Sequence, residues 1–261
     1  MAQSLITVDA GNLLFKNALP GLSGPDNTPA FIAAHGIVRA YKAMSYDAVA
    51  ISSSDLSAGF DFFQQTSDDS FPWVSANVYD ENAHLLFSPH IIKKLQSLTI
   101  GIIGLTGGGV HNIEQFVITD WRKALRSEIT LLKKSCDTLV VLSNLTELEN
   151  NEIQKDFNEI DIIVSGDKKG ANVQPQVSHN SLLVQSGGRG KYIGKLDIVR
   201  HGQGDWLVVS SQSLEYQKNK LSSINLQLSQ LENQQSKTGN DFSQRIARLK
   251  LSRQMLSDQI A

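Results

Sequence analysis

The sequence predicts a layered α/β domain followed by an α-helical hairpin, and three observations predict it. Short apolar runs alternate with amphipathic stretches through the first two thirds of the chain, as strands alternating with helices around a buried sheet require. Most of those runs end at Gly, Ser, Asn or Asp, residues that stop strands. From Leu214 onward glycine and proline almost vanish, and apolar residues recur at a three-four spacing.

The strands are expected at residues 5–8, 48–51, 73–78, 100–105, 138–142, 160–164 and 182–185, where the residues are mostly β-branched or aliphatic. A helix is expected over 28–44, because Asn27-Thr28-Pro29 places a capping side chain before a proline in the first turn. Residues 119–134 repeat that logic, and 146–157 form a shorter, more polar helix. Residues 192–200 and 206–210 flank the polar break His201-Gly202-Gln203-Gly204-Asp205 and read as a β-hairpin.

The tail reads as two amphipathic helices joined at Thr238-Gly239-Asn240. The first has its apolar seam at Leu214, Leu221, Ile224, Leu228 and Leu231, the second at Phe242, Ile246, Leu249, Leu256 and Ile260. The expected division is therefore a domain over 1–212 and a hairpin over 213–261. Such seams must be buried, either by the hairpin packing on itself or on the domain, or by self-association or a protein partner.

With 261 residues, 41% of them hydrophobic and 19% charged, the chain can bury a sizeable core, which excludes a disordered or low-complexity class. Basic residues number 24 against 26 acidic, and no basic cluster exceeds a pair such as Lys168-Lys169, which argues against a nucleic-acid partner. A single cysteine, Cys136, excludes an internal disulfide framework and a Cys-based zinc knuckle. No apolar run reaches the ~18 residues needed to span a bilayer, and the first residues lack the regions of a signal peptide.

The motifs that usually carry chemistry are thin. Gly107-Gly108-Gly109 and Gly187-Gly188-Arg189-Gly190-Lys191 lack the spacing of a phosphate-binding loop and read as plain loops. Ser52-Ser53-Ser54-Asp55 follows a strand but has no nucleophile-elbow glycines, so it reads as a loop with a helix cap. The six histidines are scattered singly, without paired ligand spacing.

Taken together, several strand ends resemble the 5'-nucleotidase branch of the calcineurin-like metallophosphoesterases. The carriers are Val8-Asp9-Ala10-Gly11-Asn12, the run from Tyr46 to Ile51 with Gly59 beyond it, Phe71-Pro72-Trp73-Val74-Ser75-Ala76-Asn77-Val78, and the run from Ile100 to Thr106. After them come Val140 to Leu145, Ile160 to Gly166, and Val184 to Gly187 continuing through Gly194 to Asp197. The resemblance spans about residues 4 to 200. It implies a layered metallophosphoesterase-like β-sandwich flanked by helices, with two divalent metals at strand carboxyl ends that polarise a phosphoester and activate water.

This chain departs from the family pattern at the matching positions. The usual Gly-Asp is Gly11-Asn12, and Gly-Asn-His followed by an acid is Ser52-Ser53-Ser54-Asp55, so Ser54 stands for the catalytic imidazole. The later Ser-His is Ser143-Asn144, and Gly-His-x-His is Gly166-Asp167-Lys168-Lys169. The opening Asp-x-His strand is expected tens of residues before Asp9, and the sequence begins close to Asp9, so that strand is either missing or cut away. The vestigial metal positions are thus Asn12, Ser53, Asn144, Asp167 and Lys169, with Ser54 and Asp55 as the vestigial catalytic pair. Lys169 is expected to supply a fixed positive charge paired with Asp55, Asp167 or Asp9.

These substitutions lead to the expectation of a noncatalytic relative that needs no cofactor and acts as an interaction or scaffolding module through its C-terminal helices. The alternative is a metal-dependent phosphoester or nucleotide hydrolase with an altered or partner-completed site. It would hold two divalent ions, with Asn12, Asp55, Asn144 and Asp167 as surviving oxygen ligands. A third reading has an anion bound without turnover, with Lys168, Lys169 and Arg189 as candidate contacts. The resemblance points to the bacterial periplasm or cell exterior, and the chain shows no leader that would decide it.

Overall fold

Side-chain alternation along the strands sorts the first part of the chain into layers. A computed structural model describes residues 5–15, 28–66, 71–95, 98–108, 111–113, 115–167, 173–188, 190–198, 211–238 and 242–260. The chain divides into two compact units, Met1–Trp206 and Leu207–Ala261.

In the first unit, β1 (Val8–Asp9), β2 (Ala48–Ala50) and β3 (Trp73–Val74) form a parallel sheet in that order. A small antiparallel sheet joins β4 (Val78–Tyr79) to a hairpin of β7 (His111–Ile113) and β8 (Phe116–Ile118). The main sheet contains β5 (His90–Leu95), β6 (Leu98–Leu105), β9 (Thr138–Ser143), β10 (Ile162–Ser165), β11 (Val173–Ser178) and β12 (Ser181–Gln185). Its order is β11-β12-β10-β9-β6-β5, with the four inner strands parallel and the two edge strands antiparallel.

Three apolar layers hold these sheets. Ala48 and Ala50 of β2, with Ala10 and Val74, meet Ile102 and Leu142 between the parallel sheet and the main sheet. The intervening residue Val49 points the other way, into a cluster under α1 (Pro29–Ala43) and α2 (Phe60–Thr66) built on Phe31, Val38, Phe62 and Phe63. On the far side, Ile103, Leu105, Leu139 and Val141 meet Trp121, Leu125 and Ile129 of α3 (Trp121–Leu132), with Ile153 of α4 (Glu147–Asp156). The result is the layered sandwich flanked by helices that the resemblance implies.

Helix starts follow the expected chemistry. Thr28 Oγ1 accepts from the Phe31 amide with Pro29 at the first helical position, Asp120 accepts from Arg122 N, and Thr146 and Glu149 form a reciprocal capping box.

Several expectations need correction. The strand over 73–78 is broken: Ser75 donates its amide to Ser88 O and Ala76 to Gly104 O, so β3 and β4 join different sheets. The first strand is only Val8–Asp9. Residues 190–198 form no helix or strand, and Tyr192, Ile193, Leu196 and Ile198 are exposed, so no hairpin forms over the described part of 192–200. The rest of that proposed hairpin, 199–210, lies outside the described residues. Strands β5, β7, β8 and β11 and helix α2 were not expected; β5 and β11 are the edge strands, where Lys93-Lys94 and Pro175-Gln176 interrupt the apolar runs.

The second unit contains α5 (Ser211–Thr238) and α6 (Ser243–Ile260). Its seam is turned inward: Ile224 and Leu228 are buried and pack with Leu221, Ile246 and Leu249. Leu231 is buried and Phe242 half-buried, whereas the side chains of Leu214, Leu256 and Ile260 lie outside the described residues. Lys250 Nζ lies 2.9 Å from Glu232 Oε1 across the pair. Among the described residues, no helix is long and apolar enough to cross a membrane.

The sheets approach closely at Gly104, where an added Cβ would lie 2.4 Å from Val74 O. Gly104→Ala is expected to cost about 1–3 kcal/mol in urea titration by forcing the sheets apart. Gly188→Ala, where nothing lies within 4 Å of an added Cβ, is the control and should change stability by less than about 0.5 kcal/mol.

Candidate functional site

Parallel strands deliver their following loops to one end, and four such loops converge here, after β1, β2, β9 and β10. The convergence is by backbone as much as by side chain. A Cβ on Gly166 would sit 2.4 Å from Ala10 O, and one on Gly11 would lie 3.2 Å from Ala50 O and 3.5 Å from Asn144 Nδ2. Glycine at both positions lets the chains touch, and Gly11 also takes φ +94°, a conformation that side chains rarely adopt.

Asp55 is the centre of this cluster. It opens a single 3-10 turn over Asp55–Ala58 and is fully buried. Its Oδ2 accepts from Asn12 N at 3.1 Å, Ser52 N at 3.0 Å and Ser52 Oγ at 2.6 Å, and its Oδ1 accepts from Leu14 N at 2.7 Å. Ser52 Oγ in turn accepts from Asp55 N, a local side-chain turn ahead of the 3-10 segment, whose N-cap residue Ser54 makes no side-chain cap bond.

Asn12 binds the loops a second time. It sits at φ +63°, where asparagine is among the better tolerated residues, and its Nδ2 donates to Gly166 O at 2.6 Å. Asn144 Nδ2 donates to the same carbonyl at 3.4 Å. The Ser54 hydroxyl lies 3.2 Å from Asn12 Oδ1 and 2.9 Å from Ser52 Oγ. Beneath, Asn150 of α4 accepts from Ser143 Oγ and donates to Ser165 Oγ, tying the ends of β9 and β10.

Asp9 ends β1 beside this cluster. Its Oδ1 accepts from Gly11 N and its Oδ2 from Tyr41 Oη, both at 2.8 Å. Burial raises its carboxyl above the ordinary 3.8, and the neighbouring Asp55 adds to the rise, over the lowering effect of the two hydrogen bonds. Burial and the Asp9 carboxylate together raise the Tyr41 phenol, whose ring stacks on Tyr46 at 4.1 Å.

Over 199 aligned residues the chain is 27% identical to a 5'-nucleotidase of Vibrio parahaemolyticus, covering 60% of this chain and 36% of that protein. It is 26% identical over 133 residues to the uncharacterized metallophosphoesterase YunD of Bacillus subtilis, covering 49% and 29%. The chain is similar to 5'-nucleotidase-like metallophosphoesterases. Among solved structures it matches the sulfate thiohydrolase SoxB of Thermus thermophilus at a TM-score of 0.60 and 16% identity, over 71% of this chain and 34% of the other. It matches the calcineurin-like phosphoesterase YfkN of Bacillus subtilis at 0.54 and 19%, over 70% and 67%. These structural matches establish the fold. The chain spans about a third of the length of the curated 5'-nucleotidases it resembles, and no family model matches it.

A 5'-nucleotidase-like site implies two divalent ions, and the residues present do not fit them. Such ions take several carboxylate or imidazole donors. Here the matching side chains are two amides, two hydroxyls and the half-buried Asp167, and among the described residues no group of three or more His, Cys, Asp and Glu comes together. Both oxygens of Asp55, expected as a surviving oxygen ligand in the hydrolase alternative, accept from protein donors.

The structure brings together Asn12, Ser54, Asp55 and Asn144. Ser53 is half-buried on the same turn, and Asp167 follows Gly166 with its amide on Ser165 Oγ. Lys168, Lys169 and Arg189 lie outside the described residues, so the expected charge pairing through Lys169 has no counterpart in the described structure. Sequence reasoning missed Tyr41 and Asn150, since one polar residue on a helix carries no sign of the distant strand end it serves.

The raised Asp9 carboxyl has a consequence with a definite sign. A group whose folded value lies above its unfolded one stabilises the fold at low pH and loses that contribution as pH rises through the folded value. Asp9→Asn keeps an acceptor for Gly11 N and removes the ionisation. In urea titrations its stability is expected to exceed that of the native chain progressively as pH rises from the ordinary carboxyl range to neutrality. A constant difference between the two proteins across that range would contradict this.

Proposed function

We propose that this chain is a noncatalytic metallophosphoesterase-like module, related to the 5'-nucleotidases, that acts through protein contacts. The observation that carries the reading is the use of the polar groups at the strand ends. Asn12, Ser54, Asp55 and Asn144 are bonded to one another and to backbone, where a hydrolase would aim donors at ions and substrate. No imidazole stands at the position of the general acid, which Ser54 occupies.

The contact role is supported by the hairpin unit, whose seam is satisfied internally while Leu226 and Leu251 stand 60% and 63% exposed on its outer surface.

Purified chain, assayed with manganese or magnesium against nucleoside monophosphates and a chromogenic phosphodiester, is expected to show no turnover above buffer, and elemental analysis after dialysis to find far less than one divalent ion per chain. Metal-dependent turnover that saturates with substrate would sink the noncatalytic reading. Sedimentation across micromolar concentrations tests the contact role: mass that grows with concentration, and is lost in Leu226→Gln with Leu251→Gln, is the result expected for assembly through the hairpin. A monomer throughout removes self-association.

A further inference from the structure

We infer that Asp55 and Asn12 form a hydrogen-bonded clasp that does, in this chain, the structural work of bound ions, holding the strand-end loops in place without a metal. The inference rests on the noncatalytic reading and adds to it a role for residues at the vestigial site.

Three physical observations carry it. First, four loops that emerge from parallel strands need something to hold them together, because each ends its sheet hydrogen bonding where the strand stops. Second, Asp55 meets that need from inside: four donors from three residues, Asn12, Leu14 and Ser52, close on one fully buried carboxylate, which binds the loop after β1 to the loop after β2. Third, Asn12 extends the tie to the loop after β10 through Gly166 O, and Asn144 brings in the loop after β9 through the same carbonyl.

The chemistry at position 12 is specific. An amide can donate to a carbonyl through nitrogen and accept from a hydroxyl through oxygen at the same time. A carboxylate there would face Gly166 O with no proton to give and would add negative charge beside Asp55 and Asp9. Where an ion compensates clustered carboxylates, that arrangement is favourable; here the asparagine makes the closure neutral at that position and donor-acceptor matched.

The test is the melting temperature of the full chain with chelator, with manganese, and in two variants. Chelation and manganese are expected to leave the native value unchanged within about 1 °C, whereas an ion held at a hundredfold over its Kd would raise it by about 5–10 °C. Asp55→Asn puts an NH2 among the clasp donors and is expected to lower it by roughly 5–15 °C. Asn12→Asp keeps size and tolerance of the backbone conformation, so it serves as the milder variant if the first fails to fold. Its melting temperature is expected to fall, and manganese is expected not to restore it.

Melting of both variants with the native chain overturns the clasp while leaving the noncatalytic reading standing. A manganese-raised melting temperature in the native chain, or restoration of Asn12→Asp by manganese, also overturns it, since an ion then does the holding. Phosphoester turnover is what brings down the noncatalytic reading itself, so the two failures are distinguishable.

Discussion

A carboxylate removed from water must be met by donors on its oxygens, and at Asp55 that requirement organises one end of the domain. Left unmatched, a buried carboxylate costs several kcal/mol; matched by three N–H groups and one hydroxyl, it becomes a fixed point. The loop after β1 turns back at Gly11 and Asn12 so that its amides reach Asp55. The serine run after β2 is compact because Ser52 both donates to and accepts from the same residue. The touching of Ala10 and Gly166 is compatible with this closure only because Gly166 has no Cβ.

The layers beneath make that end rigid enough to matter. Alanines on β2 and Gly104 on β6 let two sheets approach closely, and each sheet is backed by helices whose aromatic and aliphatic faces exclude water. A fold of this kind carries function at its strand ends, and similarity in fold alone does not fix what is done there. The same scaffold that positions metal donors in hydrolases positions amides and hydroxyls here, and those groups satisfy one another.

How much of this was legible beforehand follows from how local the signals are. The buried inner strands, the capped helices α1, α3 and α4 and both C-terminal helices could be read, because short apolar runs, 3.6-residue apolar patterns and capping residues lie within a short window. The edge strands β5 and β11 could not, because Lys93-Lys94 and Pro175-Gln176 interrupt their apolar runs. The strand over 73–78 misled because Trp73, Val74 and Val78 are strand formers on both sides of the break, where the Ala76 amide binds Gly104 O across the sandwich. At the site, the replacement of imidazoles by Ser54 and Asn144 was visible residue by residue through the resemblance, but the donors that surround Asp55 were not. Asp55 is met by three backbone amides and the Ser52 hydroxyl, and backbone donors leave no mark in residue type.

The amino-acid order by itself determined the layered α/β class, the apolar seams of the two C-terminal helices and the chemical kinds present at positions 12, 52–55, 144 and 166–167, because these are properties of residue type and spacing. Only the tertiary structure decided which groups those residues address. Asn12 and Gly166 are 154 residues apart along the chain, and no local rule states that the amide of one will meet the carbonyl of the other. That meeting depends on two sheets being stacked so that their strand ends coincide, a consequence of packing over the whole core.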